Sequence, residues 1–273
     1  MAEGAPEGAL RIRAAFAEAG RPLFMPYLMG GFPDLASSAA QLAAAGRHSD
    51  VIELGIPFSD PLADGPVIQA AGQRALENGI RPEDVIEMVE DLRGGPPVVL
   101  MTYVNLVLAA GPRAFMERAA RAGVAGVILP DLPIDEGADL RQQARRAGVC
   151  MVPLAAPTTA DDRLAAIGRA AQGFVYCVAL TGVTGRQVEV GDELRGFLDR
   201  ARALTDAPLG VGFGIRTPAD VAAVGAIADG VIVGSELIRR VGAAPDAAGA
   251  AAEVAAFCEE AVAALRELAG ASA

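Results

Sequence analysis

The stretch "DGVIVGSELIRR", from Asp229 to Arg240, contains an apolar strand, a glycine turn and the start of a helix in direct succession. Its strand is apolar on both faces, as is "GVILP" at Gly126–Pro130, which is typical of a parallel strand covered by helices. A strand that leads directly into a helix is a β/α unit, and repetition of this unit indicates a parallel α/β fold.

The β/α unit repeats along the chain. Strands are predicted at Leu23–Leu28, Asp50–Leu54, Val98–Met101, Gly126–Leu129, Cys150–Val152, Phe174–Val178, Leu209–Gly212 and Gly230–Val233. Helices are predicted between them, near residues 35–45, 83–92, 112–121, 136–146, 161–170, 191–203, 217–225 and 246–268. Eight units in about 250 residues predict a single (β/α)8 TIM barrel. The alternative, a doubly wound open sheet, usually has G-x-G-x-x-G after its first strand, and "YLMGGFPD" does not match that motif.

Additional helices are expected outside the minimal barrel. One near Ala9–Ala19 precedes the first strand and should close the bottom of the barrel, one near Pro66–Asn78 follows strand two, and one follows strand eight. No linker or shift in composition marks a second domain. We therefore expect residues 1–273 to form one domain, with an N-terminal helix at about 7–20 and the barrel at about 22–270.

The composition argues against several classes of protein. The chain has 34 acidic and 23 basic residues, and its basic residues are scattered, so neither a nucleic-acid-binding face nor a polybasic membrane patch is expected. The N-terminus has no apolar segment like that of a signal peptide, and three cysteines at positions that suit no metal site indicate buried thiols. These features predict a cytoplasmic protein.

Two absences restrict the chemistry. The chain has no lysine, so no side-chain amine can form a Schiff base with a carbonyl substrate or with pyridoxal phosphate. It has one histidine, His48, which excludes a zinc site built on several histidines and is expected to lie on the surface at the barrel bottom. We expect no metal and no cofactor in this chain, and carboxylates as the acid–base groups.

Three carboxylates follow strand two in "ELGIPFSDPLADGP", Glu53–Pro66. Alternation along the strand places its apolar residues on one face and Glu53 on the other, so Glu53 points into the barrel if the apolar face meets the helices. Burial raises the pKa of a carboxyl towards neutrality, where a general acid–base works best. Asp60 and Asp64 have proline and glycine neighbours that are typical of turns, and Asp64 is also placed to cap the helix near Pro66.

Glycine-rich turns follow strands six, seven and eight in succession. They are "TGVTG" at Thr181–Gly185, "GFG" at Gly212–Gly214, and Gly234-Ser235. In TIM barrels the loops after strands seven and eight, together with a short helix, commonly bind phosphate through backbone N–H groups. The pattern predicts a phosphate site that needs no lysine.

The sequence resembles the tryptophan synthase α chain family. Beside the segments at Glu53–Pro66 and Asp229–Ile238, the motifs that carry the resemblance are "YLMGGFPD" at Tyr27–Asp34, "MTYVNLVLAAG" at Met101–Gly111, "ILPDLPIDE" at Ile128–Glu136, "YCVALTGVTG" at Tyr176–Gly185 and "GVGFGIRTPADV" at Gly210–Val221. They occur in the family's order and span nearly the whole chain. The family fold is the (β/α)8 barrel.

The resemblance implies a reaction and a set of site residues. The reaction is the retro-aldol cleavage of indole-3-glycerol phosphate to indole and glyceraldehyde 3-phosphate, in an α2β2 complex whose β chain holds pyridoxal phosphate. Glu53 matches the catalytic glutamate and Asp64 the catalytic aspartate. The phosphate-binding positions are matched by Gly185, Gly214, Gly234 and Ser235. The positions of the substrate pocket are matched by Phe24, Leu100, Ile128, Tyr176, Thr184 and Phe213. Asp60 and Asn105 are expected at the partner interface or in loop closure.

The sequence departs from the family pattern in two segments. Met29 and Gly30 replace a turn that usually begins with threonine, and Ala179 replaces a serine, so we expect effects on rate or pocket shape rather than on reaction type. Two alternative functions stay open: a free-standing indole-glycerol-phosphate lyase, and a catalytically weak α-like regulatory subunit. Retention of Glu53 and Asp64 argues against the second.

Overall fold

A computed structural model describes residues 4–179, 190–212 and 214–271. In these ranges nine strands form one sheet in the order β5-β4-β3-β2-β1-β9-β8-β7-β6, and every pairing is parallel. The strands are β1 (Leu23–Met29), β2 (Ile52–Gly55), β3 (Val98–Met101), β4 (Val124–Ile128), β5 (Cys150–Met151), β6 (Leu154–Ala155), β7 (Val175–Val178), β8 (Leu209–Gly212) and β9 (Gly230–Val233).

The strands β5 and β6 are two parts of one extended segment. Its first part pairs with β4, where the N–H of Val152 donates to the carbonyl of Val127 at 3.0 Å. Its second part pairs with β7, where the N–H of Tyr176 donates to the carbonyl of Pro153 at 2.9 Å. Pro153, which lies between the two parts, has no N–H to donate. The predicted fifth strand, Cys150–Val152, corresponds to the first part. The segment closes the sheet, and the predicted TIM barrel is confirmed.

Helices follow the strands as the sequence predicts, with one addition. They are α1 (Glu7–Glu18), α2 (Leu35–His48), α3 (Pro66–Glu77), α4 (Pro82–Met88, continued by a 3-10 turn at Val89–Leu92), α5 (Val104–Ala110), α6 (Pro112–Ala122), α7 (Ala138–Ala147), α8 (Asp161–Ala170), α9 (Asp192–Arg202), α10 (Pro218–Gly225), α11 (Ser235–Ala243) and α12 (Ala247–Ala271). The unpredicted helix is α5. Its first N–H, at Val104, donates to both carboxylate oxygens of Asp131, so a distant side chain caps it.

One apolar layer packs on each face of the sheet. Outward-facing residues such as Ile52 and Leu54 pack against the surrounding helices, and inward-facing residues such as Val99 and Tyr176 fill the barrel. The helix α1 closes the N-terminal end, where Ile12 joins the inner layer. Gly8 allows this contact, because a Cβ there would lie 1.8 Å from the carbonyl oxygen of Ala125.

Local signals set the ends of several helices. The Asp34 carboxylate accepts from the N–H of Ser37 at 2.8 Å at the start of α2, and Thr217 and Asp220 form a capping box at the start of α10. Gly123 and Gly148 end α6 and α7 in the left-handed conformation. Over the described ranges, no helix is both long and apolar enough to cross a bilayer. The single-domain organisation over residues 1–273 stays a prediction.

Candidate active site

The carboxyl group of Glu53 lies inside the barrel. Glu53 is the second residue of β2, is only 3% exposed, and stands in register with Tyr27 of β1 and Val99 of β3. Its neighbours along the strand point outward, so the alternation predicted from sequence is present. Its Oε1 atom is buried and has no hydrogen-bond partner in the described part of the chain. A buried, unpartnered carboxyl oxygen is costly to charge and is available to a ligand.

Burial, together with the smaller effect of the nearby charge of Asp64, raises the pKa of Glu53 to about 8. The group is therefore mostly protonated near pH 7, where an ordinary glutamate is ionised. A carboxyl with its pKa close to neutrality can both give and take a proton during one reaction.

The second carboxylate, Asp64, is half-buried in the loop between β2 and α3. Burial raises its pKa to about 6, while a hydrogen bond from Tyr103 acts in the opposite direction. The Oη of Tyr103 also accepts from the N–H of Ala63 at 3.1 Å, and its ring stacks on Phe58 with centroids 5.0 Å apart. Because Gly65 is the N-cap of α3 and no side chain caps that helix, Asp64 is not the cap considered from sequence.

A cavity of about 140 Å³ at the carboxyl ends of the strands joins these two carboxyls. Besides the pair, it brings together four of the predicted site residues, namely Tyr176, Gly214, Gly234 and Ser235. Its lining consists of Tyr27, Glu53, Asp64, Pro66, Val67, Ile68, Met101, Tyr176, Gly214, Ile215, Arg216, Ile232, Gly234, Ser235 and Arg239. A larger hollow of about 290 Å³ lies outside the barrel near Pro130 and Pro153, and neither carboxyl of the pair lines it.

Two predicted pocket residues do not reach this cavity. Phe24 packs outward, with its ring 6.1 Å from that of Phe257 on α12, and Leu100 also belongs to the outer layer. The inward positions on the same strands are Tyr27 and Met101, which line the cavity in their place. The alternation that identified Glu53 would have identified both, because successive strand residues face opposite sides.

The other predicted residues have different positions. Ile128 lies in the inner layer, Asp60 is exposed on the loop after β2, and Asn105 is exposed on α5. Thr184, Gly185 and Phe213 lie outside the described residues.

Two tyrosines approach glycines on neighbouring strands. A Cβ at Gly55 would lie 2.1 Å from the Oη of Tyr27, and one at Gly212 would lie 2.3 Å from the Oη of Tyr176. Each glycine thus leaves room for a phenol beside the carboxyl pair. Burial, the largest cause, raises the pKa of both phenols well above 10, so they stay neutral and can donate hydrogen bonds.

Part of the cavity lining consists of glycine turns and one helix start. Gly214 has φ +80°, a conformation that favours glycine, and Gly234 is the N-cap of α11, whose first residue is Ser235. The N-terminus of a helix attracts anions. Arg216 and Arg239 line the same cavity and were not identified from sequence as site residues. Arg239 is part of "GSELIRR", but only the position of α11 in the fold brings it to the cavity.

The two family departures lie in different places. Met29 belongs to the inner layer and approaches Gly72 of α3, where a Cβ would be 3.4 Å from its Cε. Ala179 belongs to the outer layer, and its N–H donates to the carbonyl of Gly212 at 3.0 Å. Ala179 therefore does not face the cavity.

The remaining candidate groups lie away from the cavity. Cys150, Cys177 and Cys258 are free and buried, and burial raises the pKa of each thiol to about 12. His48, at the barrel bottom, lies 3.4 Å from the carboxylate of Glu259. Within the described ranges, no cluster of three or more histidine, cysteine, aspartate or glutamate residues is placed to hold a metal ion.

Fold and site together define a TIM barrel whose cavity is lined by two carboxyl groups, by glycine turns and by the start of a helix. Residues 14–266 match the family model described as "Tryptophan synthase alpha chain". A tryptophan synthase alpha chain from Trichormus variabilis is 45% identical over 246 residues, which cover 89% of this chain and 92% of the relative.

Solved structures agree with the sequence match. Tryptophan synthase subunit alpha from Legionella pneumophila superposes with a TM-score of 0.86 at 34% identity, covering 94% of this chain and 98% of that one. A chain of the Pyrococcus furiosus tryptophan synthase a2b2 complex gives a TM-score of 0.81 at 37% identity, covering 89% and 99%. The chain belongs to the tryptophan synthase alpha chain family. It is a lyase of tryptophan biosynthesis that cleaves indole-3-glycerol phosphate.

Proposed function

We propose that Glu53 is the general acid and base of this cleavage and that Asp64 stabilises the indole ring as the bond breaks. The observation that carries the proposal is the cavity itself, in which a buried carboxyl with its pKa near 8 shares one space with Asp64 and the glycine turns. The carboxyl pair is proposed to receive the indole ring, and the glycine turns with the start of α11 are proposed to form an anion-binding end that receives the phosphate.

The reaction needs one proton to enter and one to leave. Neutral Glu53 donates a proton to C3 of the indole, so the ring becomes an electron sink. The glycerol hydroxyl next to the scissile bond then gives its proton to the Glu53 carboxylate, the carbon–carbon bond breaks, and its electrons return to the ring. The products are indole and an aldehyde, and Glu53 regains its proton. The raised pKa supports both directions of transfer.

Asp64 acts through charge. With its pKa at about 6, it is ionised near pH 7 and can accept a hydrogen bond from the indole N–H. Protonation at C3 places positive charge on that nitrogen, so the attraction is stronger in the transition state than in the bound substrate. Tyr103 holds the carboxylate in place by its hydrogen bond, since it also contacts Ala63 and Phe58 of the same loop.

The anion-binding end holds the phosphate. Gly214, Gly234 and Ser235 line it and offer backbone N–H groups and the start of α11. Gly185, which lies outside the described residues, is proposed to bind the phosphate as well, and Thr184 to belong to the substrate pocket. A phosphate fixed there determines how far the indole ring extends towards Glu53.

The two pKa values predict a bell-shaped dependence of kcat on pH. Activity should rise through about pH 6 as Asp64 ionises and fall through about pH 8 as Glu53 loses its proton. Initial rates of indole release, measured from about pH 5 to about pH 10, cover both the acid and the alkaline limb of the profile. A flat profile from pH 6 to 9 would contradict the assignment of Glu53 as the acid.

We propose further that the chain functions in an α2β2 complex whose β chain supplies pyridoxal phosphate, and that this chain holds no cofactor. The Pyrococcus furiosus relative is solved as an a2b2 complex, which supports the proposal. Leu62, which is 90% exposed, lies on the loop after β2 with Asp60, and Leu108, which is 54% exposed, lies on α5 with Asn105. Exposed apolar residues beside polar ones suit a partner surface. The biosynthetic reaction is consistent with the predicted cytoplasmic location.

Indole release by the purified chain, with and without a β chain of this family, tests the activity and the partnership together. We expect slow release alone and a clear acceleration on adding the β chain, because the proposed surface contacts the loop that holds Asp64. Full rate without the partner would favour the free-standing lyase. No cleavage in either condition would favour the regulatory subunit.

A further inference from the structure

Two consecutive arginines on α11 share one partner but have different surroundings. The guanidinium groups of Arg239 and Arg240 both bond the carboxylate of Glu236, Arg240 with its Nε 3.1 Å from Oε1. Arg240 then lies over the ring of Phe257, 4.7 Å from its centroid, and approaches Glu253 at 3.6 Å. Arg239 instead lines the cavity beside Gly234 and Ser235. Arg240 therefore packs against α12, whereas Arg239 lies at the cavity.

The charges around this helix start favour a dianion. Glu236 contacts both arginines and Glu253 lies near Arg240, so these four side chains together have no net charge. Arg216 adds a further guanidinium to the cavity lining. The whole chain has a net charge of −11, so guanidinium groups in the cavity lining reduce the repulsion that a phosphate would otherwise meet.

We propose that Arg239 determines the preference of this enzyme for phosphorylated over neutral substrates, and that Glu236 holds its guanidinium at the cavity wall. The inference rests on the proposed function for the site but adds a side-chain contact to the backbone groups. A guanidinium offers paired N–H donors that match phosphate oxygens. Glu236 restricts the side chain before the ligand arrives, which reduces the entropy lost on binding.

A purely structural role for Arg239 predicts a different result. Its side chain is 47% exposed, and an exposed ion pair three residues apart on a helix contributes little to stability. If it served only as such a pair, its loss would leave substrate preference unchanged. Preference between two substrates that differ only in the phosphate therefore separates the two roles.

The test compares Arg239→Gln with Arg240→Gln, which loses the same partner but does not line the cavity. We expect Arg239→Gln to raise KM for indole-3-glycerol phosphate about 10- to 100-fold, as for a lost hydrogen bond to a charged group, with kcat little changed. Its kcat/KM for unphosphorylated indole-3-glycerol should equal that of the wild type. Arg239→Lys should recover part of the lost affinity, since lysine keeps the positive charge but lacks the paired N–H donors of the guanidinium. An unchanged ratio of the two substrates would overturn the proposal.

Equilibrium binding separates this inference from the proposed reaction. Calorimetry with glycerol 3-phosphate needs no turnover, and we expect weaker binding in Arg239→Gln, normal binding in Arg240→Gln, and a smaller salt dependence in Arg239→Gln. If the wild type binds glycerol 3-phosphate more tightly than Arg239→Gln does but cleaves no substrate, the proposed reaction is refuted and the role of Arg239 is supported. If Arg239→Gln binds it as tightly as the wild type, the role of Arg239 is refuted even where cleavage is normal.

Discussion

Replacing Glu53 with glutamine is expected to lower kcat for indole release by about 10²- to 10⁴-fold, the usual contribution of a positioned acid–base group. Glutamine keeps the shape of the side chain but has no proton to give to C3 of the indole. KM should change little, because the proton transfer occurs only in the transition state. Steady-state assays in the presence of the β chain measure both constants. A variant with normal kcat would exclude Glu53 as the acid.

The same substitution should stabilise the fold, which distinguishes lost chemistry from lost structure. The pKa of Glu53 is about 8 in the folded chain against 4.5 for an ordinary glutamate, so the folded state retains a proton that the unfolded state loses. Stability associated with this group is fully present below about pH 4.5 and is lost as the pH rises through about 8. Glutamine removes that loss, so the free energy of unfolding at pH 8 should increase.

Thermal unfolding at several pH values checks this expectation. The midpoint of the Glu53→Gln variant should exceed that of the wild type at pH 8 and approach it near pH 4.5. The exposed Glu260→Gln variant serves as the matched control and should show neither the stabilisation nor the loss of activity. A Glu53→Gln protein that is inactive and less stable at pH 8 would point to a structural role.

Strand periodicity was sufficient to predict the fold and the inward position of Glu53. The alternation of β2 placed Glu53 inside the barrel, and the same rule applied to β1 and β3 places Tyr27 and Met101 there. Phe24 and Leu100 were assigned to the pocket by resemblance instead. Each occupies a strand position whose side chain faces outward, next to a position that faces inward. Where a strand is regular, the period of two decides which side chains meet a ligand.

Loop and helix contacts could not be predicted from the sequence in the same way. Asp64 looks like a turn residue locally, and only Tyr103, on a different loop, brings it to the cavity. The helix α5 begins where Asp131 accepts its first N–H, again from a different loop. In each case the deciding partner is distant in sequence, so no local pattern contains the information.

Replacing Asp64 with asparagine is expected to lower kcat by about 10²- to 10³-fold, the usual cost of removing one preorganised group that stabilises transition-state charge. Asparagine can still accept the indole N–H and meet Tyr103, so KM should change less than kcat. What it lacks is the negative charge that opposes positive charge on the ring. Indole-release kinetics with the β chain present measure the effect.

The Asp64→Asn variant should also move the alkaline limb of the pH profile. Because the charge of Asp64 helps to raise the pKa of Glu53, removing that charge should lower the pKa from about 8, and the residual activity should fall at a lower pH. Asp60→Asn, an exposed position on the same loop, should leave that limb where it is in the wild type. An alkaline limb that stays at about pH 8 in Asp64→Asn would show that the two carboxyls do not interact, and the paired mechanism would then have to be abandoned.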